Sequence, residues 1–291
     1  MAFAMQHIKG VNILFVQRLV RVAVAVTLLA AGSLRALAAS EPGPLNAGYQ
    51  QMYDLDFDGA HHTFELWEGQ HPQDPLGPVS NAAAYLFSEF DRLHILESDL
   101  FTDDGKFENR QKPTPDPTVR QAFDAELARA ETLADAELAR STQNHDAMFA
   151  KIMVDGLRGD YLAMIEKRDL AGLSCMKAGR VIAEKLVAAD PAYFDAYLAI
   201  GIENYLLGVN PAPVRWFLRL TGAQTNQDYG LRNLRLTAAK GRYLAPYARL
   251  LLAVAALRAK DKSTARELLS GLALEFPQNG LYRKELARIQ R

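Results

Sequence analysis

Three stretches decide how this chain folds: FDGAHHTFELWEGQHPQD (57–74), MKAGRVIAEKLVAADPAY (176–193) and KSTARELLSGLALEFPQN (262–279). They share one pattern. A small residue comes first, two apolar residues follow at helical spacing, and a proline closes the set. The sets are Ala60, Phe64, Trp67, Pro72; Gly179, Ala183, Leu186, Pro191; and Ala265, Leu269, Leu272, Pro277. Residues four and seven positions after the small one lie on the same helix face. The small residue lets a neighbouring helix approach closely. Proline cannot continue a helix, so it ends one and opens the next turn. Asp74, Asp195 and Asn279 follow the prolines, where the next helix should begin.

The rest of the chain repeats this logic. Val119, Phe123, Leu127, Ala130 and Ala134 recur at three and four residues, as do Leu244, Tyr247, Leu251 and Val254. No strand-like alternation competes with them. The pattern predicts helices over 44–54, 58–70, 77–93, 118–140, 143–156, 158–169, 171–189, 192–208, 211–221, 226–240, 243–259, 262–275 and 279–290. One stretch stands apart. Residues 99–118 hold Pro113, Pro115, Pro117 and Gly105 among many charges, an insertion longer than compact domains usually carry.

The first 38 residues contain no Asp or Glu. Lys9, Arg18 and Arg21 precede an apolar run from Val22 to Leu34, and Ala36-Leu37-Ala38 follows. Positive, then apolar, then small is the order of a secretory signal peptide, with cleavage expected after Ala38. The apolar run is shorter than the ~20 residues a spanning helix needs. An uncleaved membrane anchor is the competing reading, because Val11–Val16 could extend the apolar zone. The mature chain is expected in the periplasm or outside the cell, with no stable membrane span. The expected organisation is a leader (1–38), an N-terminal helical part (39–98), the proline-rich insertion (99–118) and a longer C-terminal helical part (119–291).

The chain has 291 residues, 49% hydrophobic, with one cysteine and a formal net charge of −1. That apolar share excludes a mostly disordered chain. One cysteine excludes a disulfide framework and a cysteine-rich zinc module. Near-neutral charge argues against a general nucleic-acid binder. Without the leader the net charge is −5, split between −15 over 39–213 and +10 over 214–291. Such a split suits an oppositely charged partner or self-association of acidic and basic parts. Scattered, solvated helix charge would give the same arithmetic.

The three small-apolar-apolar-proline sets resemble the second helix of the tetratricopeptide repeat, a helix–turn–helix unit. Gly48 before Tyr53 matches the first helix in part, and Tyr197, Gly201 and Tyr205 match it loosely. The spacing between sets is irregular, so the resemblance is to degenerate repeats with insertions. The segment from Asp195 to Pro277 also looks like bacterial repeat proteins of unknown role. The resemblance implies an all-α, right-handed superhelix of stacked hairpins. It implies a scaffold with a concave groove, holding a protein or peptide partner in the cell envelope.

Candidate sites are few. Asp54, Asp56, Asp58 and, six residues after Gly59, Glu65 fit the calcium-loop spacing D-x-D-x-D-G-x5-E. The same residues read as a turn in which Asp58 caps the second helix. The turn is preferred, because polar Ala60-His61-His62 follows and no second loop pairs with it. His61, His62 and Glu65 lack the spacing of a transition-metal motif. Cys175 sits in an apolar helix with no base assigned to it. No phosphate loop and no Gly-x-Ser-x-Gly are present, so neither enzyme nor cofactor is expected. The best binding region is Asn204, Tyr205, Arg215, Arg219, Asn226, Arg232, Arg242 and Tyr243. It mixes aromatic, amide and guanidinium groups, as interface hot spots do. Those side chains can equally be core and local pairs. An alternative role is a periplasmic binder of an anionic solute, with a pocket near Arg215, Arg232 and Tyr243.

Overall fold

The computed structural model describes residues 43–96, 111–210 and 218–289. The leader, most of the insertion and Arg215 lie outside the described residues. The described residues are all-α. In order they form α1 (Pro44–Tyr53), α2 (Phe57–Gln70), α3 (Leu76–Arg92), α4 (Pro117–Arg140), α5 (His145–Asp160), α6 (Asp169–Ala189), α7 (Tyr197–Gly208), α8 (Gln227–Lys240), α9 (Ala245–Arg258), α10 (Lys262–Glu275) and α11 (Gly280–Ile289). Among them no helix is long and apolar enough to cross a membrane.

The recurring pattern lies on buried helix faces. Ala60, Phe64, Ala183, Leu186, Ala265, Leu269 and Leu272 are all core. Each of the three helices stops one residue before its proline, at His71, Asp190 and Phe276. Asp74 Oδ1 then accepts the Leu76 amide (2.9 Å), and Asn279 Oδ1 accepts the Leu281 amide (3.0 Å). These two residues open the next helix as the spacing implies. Asp195 has a different task, described below.

Each helix packs on its sequence neighbour, and α3 also packs on α5. The two ends then meet. Asp54 Oδ1 accepts the amides of Gln278 (2.8 Å) and Asn279 (3.1 Å), while Asn279 Nδ2 donates to the Tyr53 carbonyl (2.8 Å). The Tyr53 ring lies 5.7 Å from Phe276. The first helix packs on α2 and α3, and its C-terminal end is tied to the turn between the last two helices.

Two expectations need correction. Residues 143–156 and 158–169 do not form separate helices. The α5 helix runs unbroken to Asp160 and widens into a π-helical turn, Tyr161–Ile165, closed by the bond from Glu166 N to Tyr161 O (3.2 Å). Gly159 allows close packing on α6, since a Cβ there would sit 3.2 Å from Cys175 Cβ and from the Gly172 carbonyl. The second correction concerns the cap of α2. Asp56, not Asp58, accepts the Gly59 amide (3.0 Å).

Helices α7 and α8 pack backbone against backbone. A Cβ on Gly230 would meet Tyr205 N at 2.5 Å and the Gly201 carbonyl at 2.9 Å. A buried polar set locks this pair to α6. Arg180 Nε donates to Glu203 Oε2 (2.9 Å), and Glu203 is fully buried. Glu203 Oε1 accepts the Gln224 amide (2.9 Å), and Gln224 Oε1 accepts from Asn204 (2.7 Å). Pairing and hydrogen bonds on each charge offset the cost of burying it.

Gly230→Ala should destabilise the protein by about 3 kcal/mol, because the clash is with backbone that cannot swing away. Gly271→Ala, with open space at its Cβ, should be neutral or stabilise by about 0.5–1 kcal/mol. Urea unfolding of the two variants checks this contrast.

Candidate functional site

The 3-10 turn Phe194–Ala196 places Asp195 under the start of α9. Its Oδ1 accepts the amides of Tyr243 (3.1 Å) and Leu244 (2.8 Å), and Oδ2 accepts that of Arg242 (2.8 Å). Burial pushes its pKa up, and the three amides offset part of that rise. Gly241 is required beside it, since a Cβ there would lie 2.8 Å from Asp195 Oδ1 and 2.7 Å from the Thr237 carbonyl. So fixed, Tyr243 stacks between Tyr49 (5.0 Å) and Phe149 (6.3 Å), and its carbonyl accepts the Tyr53 hydroxyl (3.1 Å). Tyr247 meets Phe87 edge-on at 5.5 Å.

These contacts leave a cavity of about 540 Å³. That is within the usual range for small-molecule sites. Its wall is mainly aliphatic and aromatic. It draws on α1 and α3 (Tyr49, Tyr53, Phe87), α5 (Ile152, Met153, Leu157), α6 (Leu173, Met176), α7 (Leu198, Ile202) and the start of α9 (Leu244, Tyr247). Leu170, 85% exposed, and Leu206, 47% exposed, also line it and reach solvent at its edge.

One carboxyl of this wall is desolvated with nothing among the described residues to answer it. Asp160, the last residue of α5, lines the cavity and makes no hydrogen bond or ion pair with the described residues. Desolvation alone pushes its pKa up to about 7. Its charge in turn raises the Tyr247 phenol, which burial has already raised. The π-helical turn that follows is held from α4. Arg120 lies 4.0 Å over the Tyr161 ring and donates to Glu166 (2.8 Å), and Phe123 stacks on Tyr161 at 5.2 Å. Turns of this kind recur at functional sites.

The residues chosen from sequence lie elsewhere. Asn204 is buried, donating to Gln224 and accepting the Asn226 amide (3.2 Å). Asn226 caps α8 through the Tyr229 amide (3.1 Å). Tyr205 is core. Arg219 donates to Thr225 Oγ1 (2.7 Å). Arg232 lies 5.7 Å over Tyr229 on its own helix, and Arg242 lies 4.9 Å over Tyr243. The structure joins Asn204 to Asn226, and Arg242 to Tyr243, as two separate groups. None of the seven described residues lines the cavity.

The carboxylates of the calcium-loop spacing are also spread out. Asp54 holds the last turn, Asp56 caps α2, and Asp58 and Glu65 are exposed on that helix. Among the described residues no group of three or more His, Cys, Asp or Glu could hold a metal ion. His61 is 2.5 Å from Asn81 Oδ1, and His62 is exposed. Cys175 is half-buried, and burial pushes its thiol up. A separate acidic cluster joins α2, α3 and α4. Glu68 accepts from Asn81 (3.3 Å) and Arg129, and burial with the charge of Glu68 holds Glu126 at about 7. No protein-family model matches the chain, and no curated protein matches it significantly.

Asp160 carries a pH signature. Its folded pKa lies above the ordinary 3.8, so the folded state keeps a proton that the unfolded state has lost. Stability therefore falls as pH rises from about 4 to about 7, by on the order of a few kcal/mol, and the loss is complete above that window. Asp160→Asn should raise the melting temperature near pH 8 and leave it almost unchanged near pH 4, read by scanning calorimetry.

Proposed function

We propose that this is an exported, non-catalytic binding protein of tetratricopeptide-like hairpins, whose cavity receives an apolar small ligand. The observation that carries the reading is the cavity wall. It is apolar, large enough for a ligand and open at an edge of exposed leucines. A contiguous apolar surface left to water is unfavourable, and proteins keep one where something binds. Four of the chain's seven methionines, Met52, Met153, Met164 and Met176, line it. Methionine adapts its shape to a partner and is common on such surfaces.

Among the described residues the ionisable side chains of the wall are all acids: Asp160, Asp169, Asp195 and the tyrosines. This favours a neutral or cationic ligand over an anionic solute. The stacked hairpins would form a superhelix drawn closed at its ends, with the cavity in place of an open groove. Export rests on the leader pattern of residues 1–38.

A second reading keeps a protein partner on another face. The outer side of α8 exposes Tyr229, Arg232 and Leu236, and Leu220 is exposed just before it. Aromatic, guanidinium and aliphatic groups together suit an interface.

Gly156 offers a clean test. It lines the cavity, and a Cβ there meets nothing within 4 Å. Gly156→Leu should fill the space without strain, hold or raise stability by about 0.5–1 kcal/mol and abolish uptake of a neutral apolar dye such as Nile red. Equal dye binding by variant and parent would refute the cavity as the site.

A further inference from the structure

An apolar tail alone would cover Asp160, a half-buried carboxyl with no hydrogen bond or ion pair to the described residues, and leave it unsatisfied, at a cost. Asp195 is already spent on three backbone amides. Asp169 is exposed at the first turn of α6 and keeps its water. Asp160 is thus the anionic group in this wall left for a ligand to answer. The Tyr247 hydroxyl, also without a hydrogen-bond partner among the described residues, belongs to the same wall.

Resting on the reading of the cavity as a ligand site, we infer that the ligand is a cationic amphiphile: its hydrocarbon part lies against Met153, Leu157, Met164 and Leu198, and its protonated amine pairs with Asp160 beside Tyr247. A desolvated carboxylate and an ammonium each relieve the cost of burying the other. A carboxylate or phosphate head would meet like charge. A neutral head would gain one hydrogen bond without relieving the charge.

The pairing has a pH dependence with a definite sign. Among the described residues the other titratable groups of the wall are Tyr49 and Tyr53 from α1, Tyr247 from α9, Asp169 from α6 and Asp195. Burial raises the three phenols, so they stay neutral through the working range. Helix α3 contributes Ala83 and Phe87, which do not titrate. An alkylamine remains charged to about pH 10. Asp160 ionises through about 7. Amine affinity should therefore rise about tenfold between about pH 6 and about pH 8.5, as the ionised fraction of Asp160 grows.

The experiment is calorimetric titration of the purified full chain with dodecylamine, dodecanol and dodecanoic acid, each below its micelle concentration. The amine should bind about tenfold tighter than the alcohol at about pH 8.5. In Asp160→Asn that preference and its pH dependence should vanish while alcohol binding persists, which also shows that the variant is folded. Tyr247→Phe should weaken the amine by a smaller factor. Equal affinity for amine and alcohol, or tightest binding of the acid, would overturn the amine while leaving the cavity as a ligand site. Failure of all three to bind, in the parent as in Gly156→Leu, would overturn the cavity reading itself.

Discussion

A single buried carboxylate holds the arrangement together. Asp195 accepts three consecutive backbone amides, from Arg242 to Leu244, before α9 begins. A helix start has backbone amides without intrahelical partners, and these normally need water or a local cap. Here an amide-rich turn is met from another part of the chain, so its position is fixed in space as well as in sequence. Tyr243 is thereby set between α1 and α5, and Tyr53 can reach its carbonyl. The Asp54 and Asn279 bonds then tie α1 to the last turn. With the first helix held on the late ones, the faces that line the cavity have no choice but to face each other.

The helices were legible because their signals are local. Spacing at three and four residues, Pro72, Pro191 and Pro277 at the stops, and Asp74 and Asn279 at the next starts all act within a few residues. The error at 143–169 has a physical origin. Gly156 and Gly159 read as breakers when only the chain is considered. In the structure Gly159 makes room for α6, and Gly156 lines the cavity. Glycine's meaning there depends on what lies across from it, which neighbouring residues do not encode. The choice of Asp58 over Asp56 as the cap failed for a smaller reason. Both stand near the same helix start, and the turn geometry decides between them.

The site was much less legible. Asn204, Asn226, Arg242 and Tyr243 carry groups suited to binding, and contacts within the fold take them up. Asn204 is satisfied by Gln224 and Asn226 across the α7–α8 junction. Nothing in their spacing separates an internal network from an exposed one. The cavity, in contrast, is built from residues that look like ordinary core: Leu157, Met153, Leu198, Ile202. They become a wall because α1 meets the start of α9, a contact between residues 190 positions apart. Asp160 carried a usable signal, a carboxylate ending an otherwise apolar helix face. It passed unnoticed because surface helices abound in such residues.

The functional account joins these parts. Helices α1, α3, α5, α6, α7 and α9 present an adaptable apolar wall in which Asp160 has no hydrogen bond or ion pair with the described residues. Native mass spectrometry of the protein, isolated from its own cells without detergent exchange, tests this most directly. The account predicts a one-to-one complex with a small molecule that carries a basic nitrogen and leaves when the protein is denatured. Recovery of the protein free of small molecules but in fixed stoichiometry with another polypeptide would contradict it.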